Sequence, residues 1–217
     1  KDFKQFERER ILVREITGIF PNVIKSTLIN EVFLNNKSII NILELNENYK
    51  ILFLLPILNS RLIGFYHIRQ SVKGNRSLFP KAVIKDVKNF PFIDCTTDEQ
   101  KPFIAKAEEM LRLNQELQTL QSKFKRTLQR EFNLQKPTKK LQDWHNLTYT
   151  DFIKELTKQK IALTLAQKSE WEDYYAQEQH KAQTLQTQIQ QTDQQIDHMV
   201  YQLYGLTDDD IAIIEAN

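Results

Sequence analysis

PFIAKAEEMLRLNQELQTLQSKFKRTL, residues 102–128, decides how the second half of this chain folds. Its apolar side chains Phe103, Ala107, Met110, Leu113, Leu117, Leu120, Phe124 and Leu128 recur at steps of three and four. That rhythm places them on one side of an α-helix of about 26 residues or more. Pro137 then ends the stretch, and residues 147–156 give a shorter amphipathic helix. A second long helix is expected over 166–204, with Ala182, Leu185, Ile189, Thr192, Ile196, Met199 and Leu203 as its stripe. The stripe persists through the glutamine-rich stretch 183–195, which therefore reads as a solvated helix face rather than low complexity. Each long helix has to bury its apolar side, so the two are expected to pack as an antiparallel pair.

Upstream of Pro91 the grammar is different. Short β-branched or alternating runs over 11–16, 27–34 and 38–45 read as strands. Asn35-Asn36-Lys37 between the last two reads as a hairpin tip, since Asn tolerates left-handed backbone angles. Residues 49–70 are denser in Leu, Ile and Phe and predict two buried helices joined near Leu58-Asn59-Ser60, with Pro56 kinking or ending the first. An exposed loop is expected over 71–77, a short strand at Ala82-Val83-Ile84, and a helical turn over 86–89 stopped by Pro91. The whole is an α+β fold: a mixed recognition-sized module over 1–92, then a long helical, coiled-coil-like region over 93–217.

The 217 residues include four glycines and six prolines, punctuation sparse enough for long helices. At 41% hydrophobic and 27% charged the chain has material for a core and is not disordered. The single Cys95 excludes a disulfide framework and points to a reducing, cytoplasmic compartment. No run approaches a membrane span, nothing at the start reads as a signal peptide, and no membrane partner is expected. The opening Lys1-Asp2-Phe3 lacks Met, as expected of a piece excised from something longer. The net charge of +2 conceals a gradient: 1–90 holds 15 Lys and Arg against 8 Asp and Glu, while 91–217 holds 15 against 20. Residues 123–140 are locally basic, with Lys123, Lys125, Arg126, Arg130, Lys136, Lys139 and Lys140 facing only Glu131. A basic front and an acidic back fit a polyanion held on one face, and equally an ordinary solvated surface.

No catalytic constellation emerges. His67, His145, His180 and His198 are scattered and none stands at ligand spacing with Cys95 or a carboxylate, so no metal site is expected. The glycines at 18, 64, 74 and 205 stand alone, which removes a phosphate-cradling loop, and there is no serine nucleophile elbow. Asp94 followed by Glu99-Gln100-Lys101 has the residue types of a nuclease site, but Pro102 directly after it favours a helix start with Asp98 and Glu99 in the first turn. What remains is a candidate DNA surface. Asn35, Asn36 and Lys37 sit at one turn, and Arg69, Gln70, Lys73, Asn75 and Arg76, with Lys81 just after, gather at the end of a hydrophobic helix. Arg and Lys grip guanine edges, and Asn and Gln pair with adenine edges, when loops place them in the major groove. The same side chains also serve phosphates without reading sequence.

Four segments in chain order resemble a known family: Arg10-Ile11-Leu12-Val13-Arg14-Glu15-Ile16-Thr17, Leu55-Pro56-Ile57-Leu58-Asn59-Ser60-Arg61-Leu62-Ile63, Lys88-Asn89-Phe90-Pro91-Phe92, and the run from Gln195 through Val200-Tyr201-Gln202-Leu203-Tyr204-Gly205-Leu206 to Ile211. They resemble the TaqI-like C-terminal specificity domain of adenine-N6 DNA methyltransferases, over about 6–215. The resemblance implies a target recognition domain for double-stranded DNA in the first 92 residues and supporting helices from 98 onward. It implies methyltransferase or nuclease domains of a bacterial restriction-modification parent as partners. Leu58-Asn59-Ser60 and 200–206 look architectural. The Asn-Pro-Pro-Tyr type motif and an S-adenosylmethionine loop are both absent, so the methylation chemistry and that cofactor are expected in the parent protein, not in this chain. Two rival readings stand beside this one: a helical assembly module with incidental DNA affinity, and a nuclease using Asp94, Glu99 and Lys101.

Overall fold

The computed structural model describes residues 3–44, 48–71 and 80–216, with the side chain of Gln5 excepted. The fold is α+β. It divides into two compact units: Lys1–Leu111 with Thr192–Asn217, and Arg112–Gln191.

In the first unit, β1 (Arg10–Arg14), β2 (Ser26–Ile29) and β3 (Ile39–Leu43) form one antiparallel sheet in the order β2-β1-β3. Leu12 pairs with Thr27 on one side and with Asn41 on the other. Alternation then gives the sheet two unlike faces. Ile11, Val13, Leu28, Ile40 and Ile42 face the core, where they meet α1 (Ile51–Asn59) and α2 (Arg61–Gln70). Phe103 and Ala107 from the start of α4 (Thr97–Glu131) and Ile196 and Val200 from the end of α7 (Leu165–Leu203) complete that core. Each Val, Leu, Ile or Phe among them, once fully buried, contributes roughly 1.5–3 kcal/mol.

The hairpin expected at Asn35-Asn36-Lys37 is not formed. β2 and β3 both pair with β1 and not with each other, so residues 30–38 cross over β1 from one edge of the sheet to the other. The turn itself is present, because Ser38 N donates to Asn36 Oδ1 at 2.9 Å and Ile39 N to Asn36 O at 3.2 Å. Strand pairing stops at Ile29, short of the expected Leu34. The strand expected at Ala82-Val83-Ile84 shrinks to one bridge, Ile16 to Lys81, after which α3 (Ile84–Lys88) begins. Asp86 explains the switch, since its carboxylate accepts from Val83 N at 2.9 Å and starts a helix there.

The joint between α1 and α2 is a 65° bend at Ser60. Pro56 does not stop α1, which runs three residues further. Each residue of Leu58-Asn59-Ser60 has a separate task. Leu58 is buried in the core. Asn59 pairs with the Ser26 backbone, accepting from its N at 2.8 Å and donating to its O at 3.1 Å, which tethers the helix to β2. Ser60 caps α2 by accepting from Ile63 N. Next to it, Arg61 forms an ion pair with Asp197 of α7 at 3.1 Å and a looser one with Glu215 of α8 (Asp208–Glu215) at 3.5 Å. Gly205, at φ 63°, ends α7 with Leu206 N bonded back to Tyr201 O at 3.0 Å, a reversal only glycine adopts without strain. Thr207 and Asp210 then form the capping box of α8.

α4 begins five residues before Pro102, because Thr96 and Glu99 form a capping box: Thr96 N donates to Glu99 Oε2 at 2.7 Å and Glu99 N to Thr96 Oγ1 at 3.3 Å. It ends at Glu131, before Pro137, where Asn133 turns the chain at φ 47°. The second unit is built on an aromatic core. Phe124 of α4 stacks on Trp144, just after the short α5 (Lys139–Gln142), with ring centroids 3.7 Å apart, and Phe152 of α6 (Tyr149–Lys158) and Tyr175 of α7 close around them. Tyr175 donates to Trp144 O at 2.7 Å and to Leu147 O at 2.8 Å, and burial pushes its hydroxyl pKa up. In the first unit the start of α4 meets the end of α7, and in the second the end of α4 meets the start of α7.

Candidate nucleic-acid interface

The face of the sheet turned away from α1 and α2 carries Arg10, Leu12 and Arg14 from β1, Thr27 from β2, and Ile39 and Asn41 from β3. The 30–38 crossover lies on this face, and Arg10 holds it there. Arg10 is fully buried, and its guanidinium donates to Phe6 O and Arg8 O at 3.0 Å each, to Asn41 Oδ1 at 3.2 Å, and to Phe33 O. All four acceptors are neutral, so the group is a buried cation whose hydrogen bonds are satisfied and whose charge is not. The fork geometry lets one side chain join the N-terminal segment, the crossover and β3.

Between crossover and sheet runs a groove of about 490 Å³, lined by Leu12, Arg14, Lys25, Thr27, Leu34 and Asn36 among others. Arg14 and Lys25 are exposed and form no ion pair among the described residues. The crossover presents Val32, Phe33 and Leu34 to solvent at 71%, 45% and 64% exposure. A second groove of about 580 Å³ is lined by Glu15, Lys37, Asn41 and Lys85, among others. Lys81 pairs with Glu15 at 3.3 Å, which brings it to the same edge as Lys37.

The residues expected to touch DNA are therefore only partly brought together. Asn36 and Lys37 are exposed beside the grooves. Asn35 lines the first groove, but its Nδ2 bonds to Ile39 O and Asn36 O at 3.2 Å, so its side chain shapes the turn. Arg69 and Gln70 are exposed at the end of α2, with the Arg69 guanidinium 5.2 Å from the Phe65 ring, and neither lines the two grooves. Lys73, Asn75 and Arg76 lie outside the described residues. Arg10, Arg14 and Lys25 were not among the expected site residues. Their signal was the alternation of Arg10, Leu12 and Arg14 with Ile11 and Val13, which puts both arginines on the side away from the core.

Glu99 and Lys101 of the nuclease reading are engaged otherwise. Glu99 caps α4, with its pKa lowered by hydrogen bonds from Thr96, and Lys101 pairs with Asp98 at 2.6 Å. Among the described residues no three His, Cys, Asp or Glu side chains are grouped to share a metal ion. No single helix there is long and apolar enough to cross a membrane.

A mixed module with a three-stranded sheet, a helix pair and an exposed basic groove is the class this geometry defines. Residues 1–92 match the model of the TaqI-like C-terminal specificity domain, so the resemblance read from the sequence holds over that segment. Residues 96–200 match a different family, a domain of unknown function (DUF8810). No curated protein and no solved structure matches the chain.

Proposed function

We propose that this chain is the sequence-specific double-stranded DNA recognition module of a bacterial restriction-modification enzyme or adenine-specific DNA methyltransferase. Catalysis and the S-adenosylmethionine site belong to partner domains of the parent protein. The observation that carries this reading is the crossover pinned by Arg10 over a groove whose Arg14 and Lys25 form no ion pair among the described residues, within the segment of the specificity-domain match. Arg14, Lys25 and Lys37 anchor phosphates or take guanine edges, Asn36 pairs with adenine, and the methyl groups of Val32 and Leu34 meet thymine. Lys81 acts at the same edge as Lys37, and Arg69, Gln70, Lys73, Asn75 and Arg76 supply further contacts to the duplex.

Selection of the purified chain on a random duplex library tests the reading. It is expected to enrich one short motif, and Asn36→Ala is expected to relax discrimination at one base position by about tenfold, the value of one bidentate contact. Arg14→Ala is expected to weaken binding. Salt-sensitive binding without enrichment would overturn the reading in favour of an assembly module with incidental DNA affinity.

A further inference from the structure

The recognition face leaves the basic run at 123–140 unused. In the unit Arg112–Gln191, Lys123, Arg126 and Arg130 follow one another at steps of three and four along α4, all exposed, while Phe124 and Leu128 between them are fully buried. The helix therefore has an apolar side fixed in the core and a cationic side in solvent. After the Asn133 turn, Leu134 is buried again and its N bonds to Gln129 O at 3.0 Å, which folds the chain back on the helix end. Lys136, Lys139 and Lys140 follow, and buried Leu141 pins them to the same core. Of the seven bases in the run, Arg130 alone forms an ion pair among the described residues, with its neighbour Glu131 at 2.9 Å.

Like charges three and four apart on a helix repel, so this arrangement works against the helix in the free chain and is relieved by an anion laid along it. Lys123 to Arg130 spans about 10.5 Å of helix rise, which matches about three phosphates of one DNA strand at 3.4 Å each. We propose that this surface of the 112–191 unit binds the phosphate backbone of duplex DNA without reading its sequence. The choice of DNA among polyanions rests on the reading of residues 1–92 given above. The solvent-facing row of cations is the independent observation.

The test uses the full chain carrying Lys123→Gln, Arg126→Gln and Arg130→Gln, with binding to a random-sequence duplex and to a selected duplex measured over a range of salt. All three positions are solvent-facing, so the thermal midpoint is expected to hold. The slope of log affinity against log salt is expected to fall by about 2 to 3 on both duplexes, near 0.9 for each phosphate no longer neutralised, with the preference between them unchanged. An unchanged slope would overturn the proposal, as would an altered preference at constant slope. So would loss of binding to vesicles of equal phosphatidylserine and phosphatidylcholine with the DNA slope intact. A wild-type chain that prefers no sequence but has a reduced slope in the triple variant would sink the recognition reading and keep this one.

Discussion

Arg10→Met is expected to lower the unfolding free energy by about 3 to 5 kcal/mol, since it removes the guanidinium donors from a group of partly buried acceptors. Arg8 O, Phe33 O and Asn41 Oδ1 lose the guanidinium, Phe6 O keeps only a long bond from Phe33 N at 3.4 Å, and three different chain segments lose their common anchor. Arg10→Lys is expected to recover little, because a compact ammonium on a flexible stem cannot span acceptors held in a fork. Urea denaturation gives the stability. Amide exchange at Phe33 and Ile39 reports whether the crossover has come away from the sheet. A loss below about 1 kcal/mol would show that water or a neighbouring donor replaces the guanidinium and that the crossover stands without it.

The second large effect is expected at the ion pair between Arg61 of α2 and Asp197 of α7. Asp197 is 4% exposed, and burial pushes its carboxyl up to about 6, against the Arg61 backbone N–H that favours the charged form at 2.8 Å. The neighbouring Asp193 carboxylate raises it further. Arg61→Leu leaves that carboxylate buried without its cation and is expected to cost about 3 kcal/mol at neutral pH. Protonation then becomes the escape, so the variant's Asp197 titrates still higher than the wild type's. The pH dependence has a definite sign. A carboxyl whose folded pKa lies above its ordinary value of 3.8 binds its proton more readily in the folded state. Its stabilising contribution is complete below about pH 4 and is lost as the pH rises through about 6. A shift of about two units corresponds to about 3 kcal/mol across that window. Unfolding measured from about pH 4 to 7 is expected to show this fall in the wild type and to show it reduced in Asp197→Asn. Identical profiles for the two proteins would contradict the assignment to Asp197.

How much of this was legible in the sequence follows from the range of each interaction. The long helices were readable because the stripe from Phe103 to Leu128 is local and repeats over many turns. The two helices bent at Ser60 were readable for the same reason, and so was the turn at Asn36, where Asn bonds to its own neighbourhood. Strand order was not readable. Nothing in residues 26–43 distinguishes a hairpin from a crossover, because the deciding contacts run from β1 to both edges and from Arg10 to Phe33 and Asn41. The start of α4 was readable from Asp98 and Glu99 ahead of Pro102, which belong in a first helical turn, and the Thr96–Glu99 box fixes it there.

The same split applies to the site. Asn36, Lys37 and Lys81 were read from the sequence as polar residues near turns, and the structure brings the two lysines to one edge through Glu15. That Arg14 and Lys25 line a groove was not readable, because a charge at a strand position or just before a strand looks like solvated surface until the crossover is laid across it. Arg10 was quoted only as part of a motif, since a fully buried arginine without a carboxylate partner is not what sequence pattern leads one to expect.

The central claim is that the exposed face of the sheet, with residues 30–38 across it, is what meets DNA. Amide exchange of the full chain with and without the duplex enriched by selection tests it most directly. The account predicts slowed exchange at residues 34–38 and at Arg14 and Lys25 with the enriched duplex, and a much weaker effect with a scrambled one. Binding of the enriched duplex that leaves those amides unchanged and protects another part of the chain would contradict it.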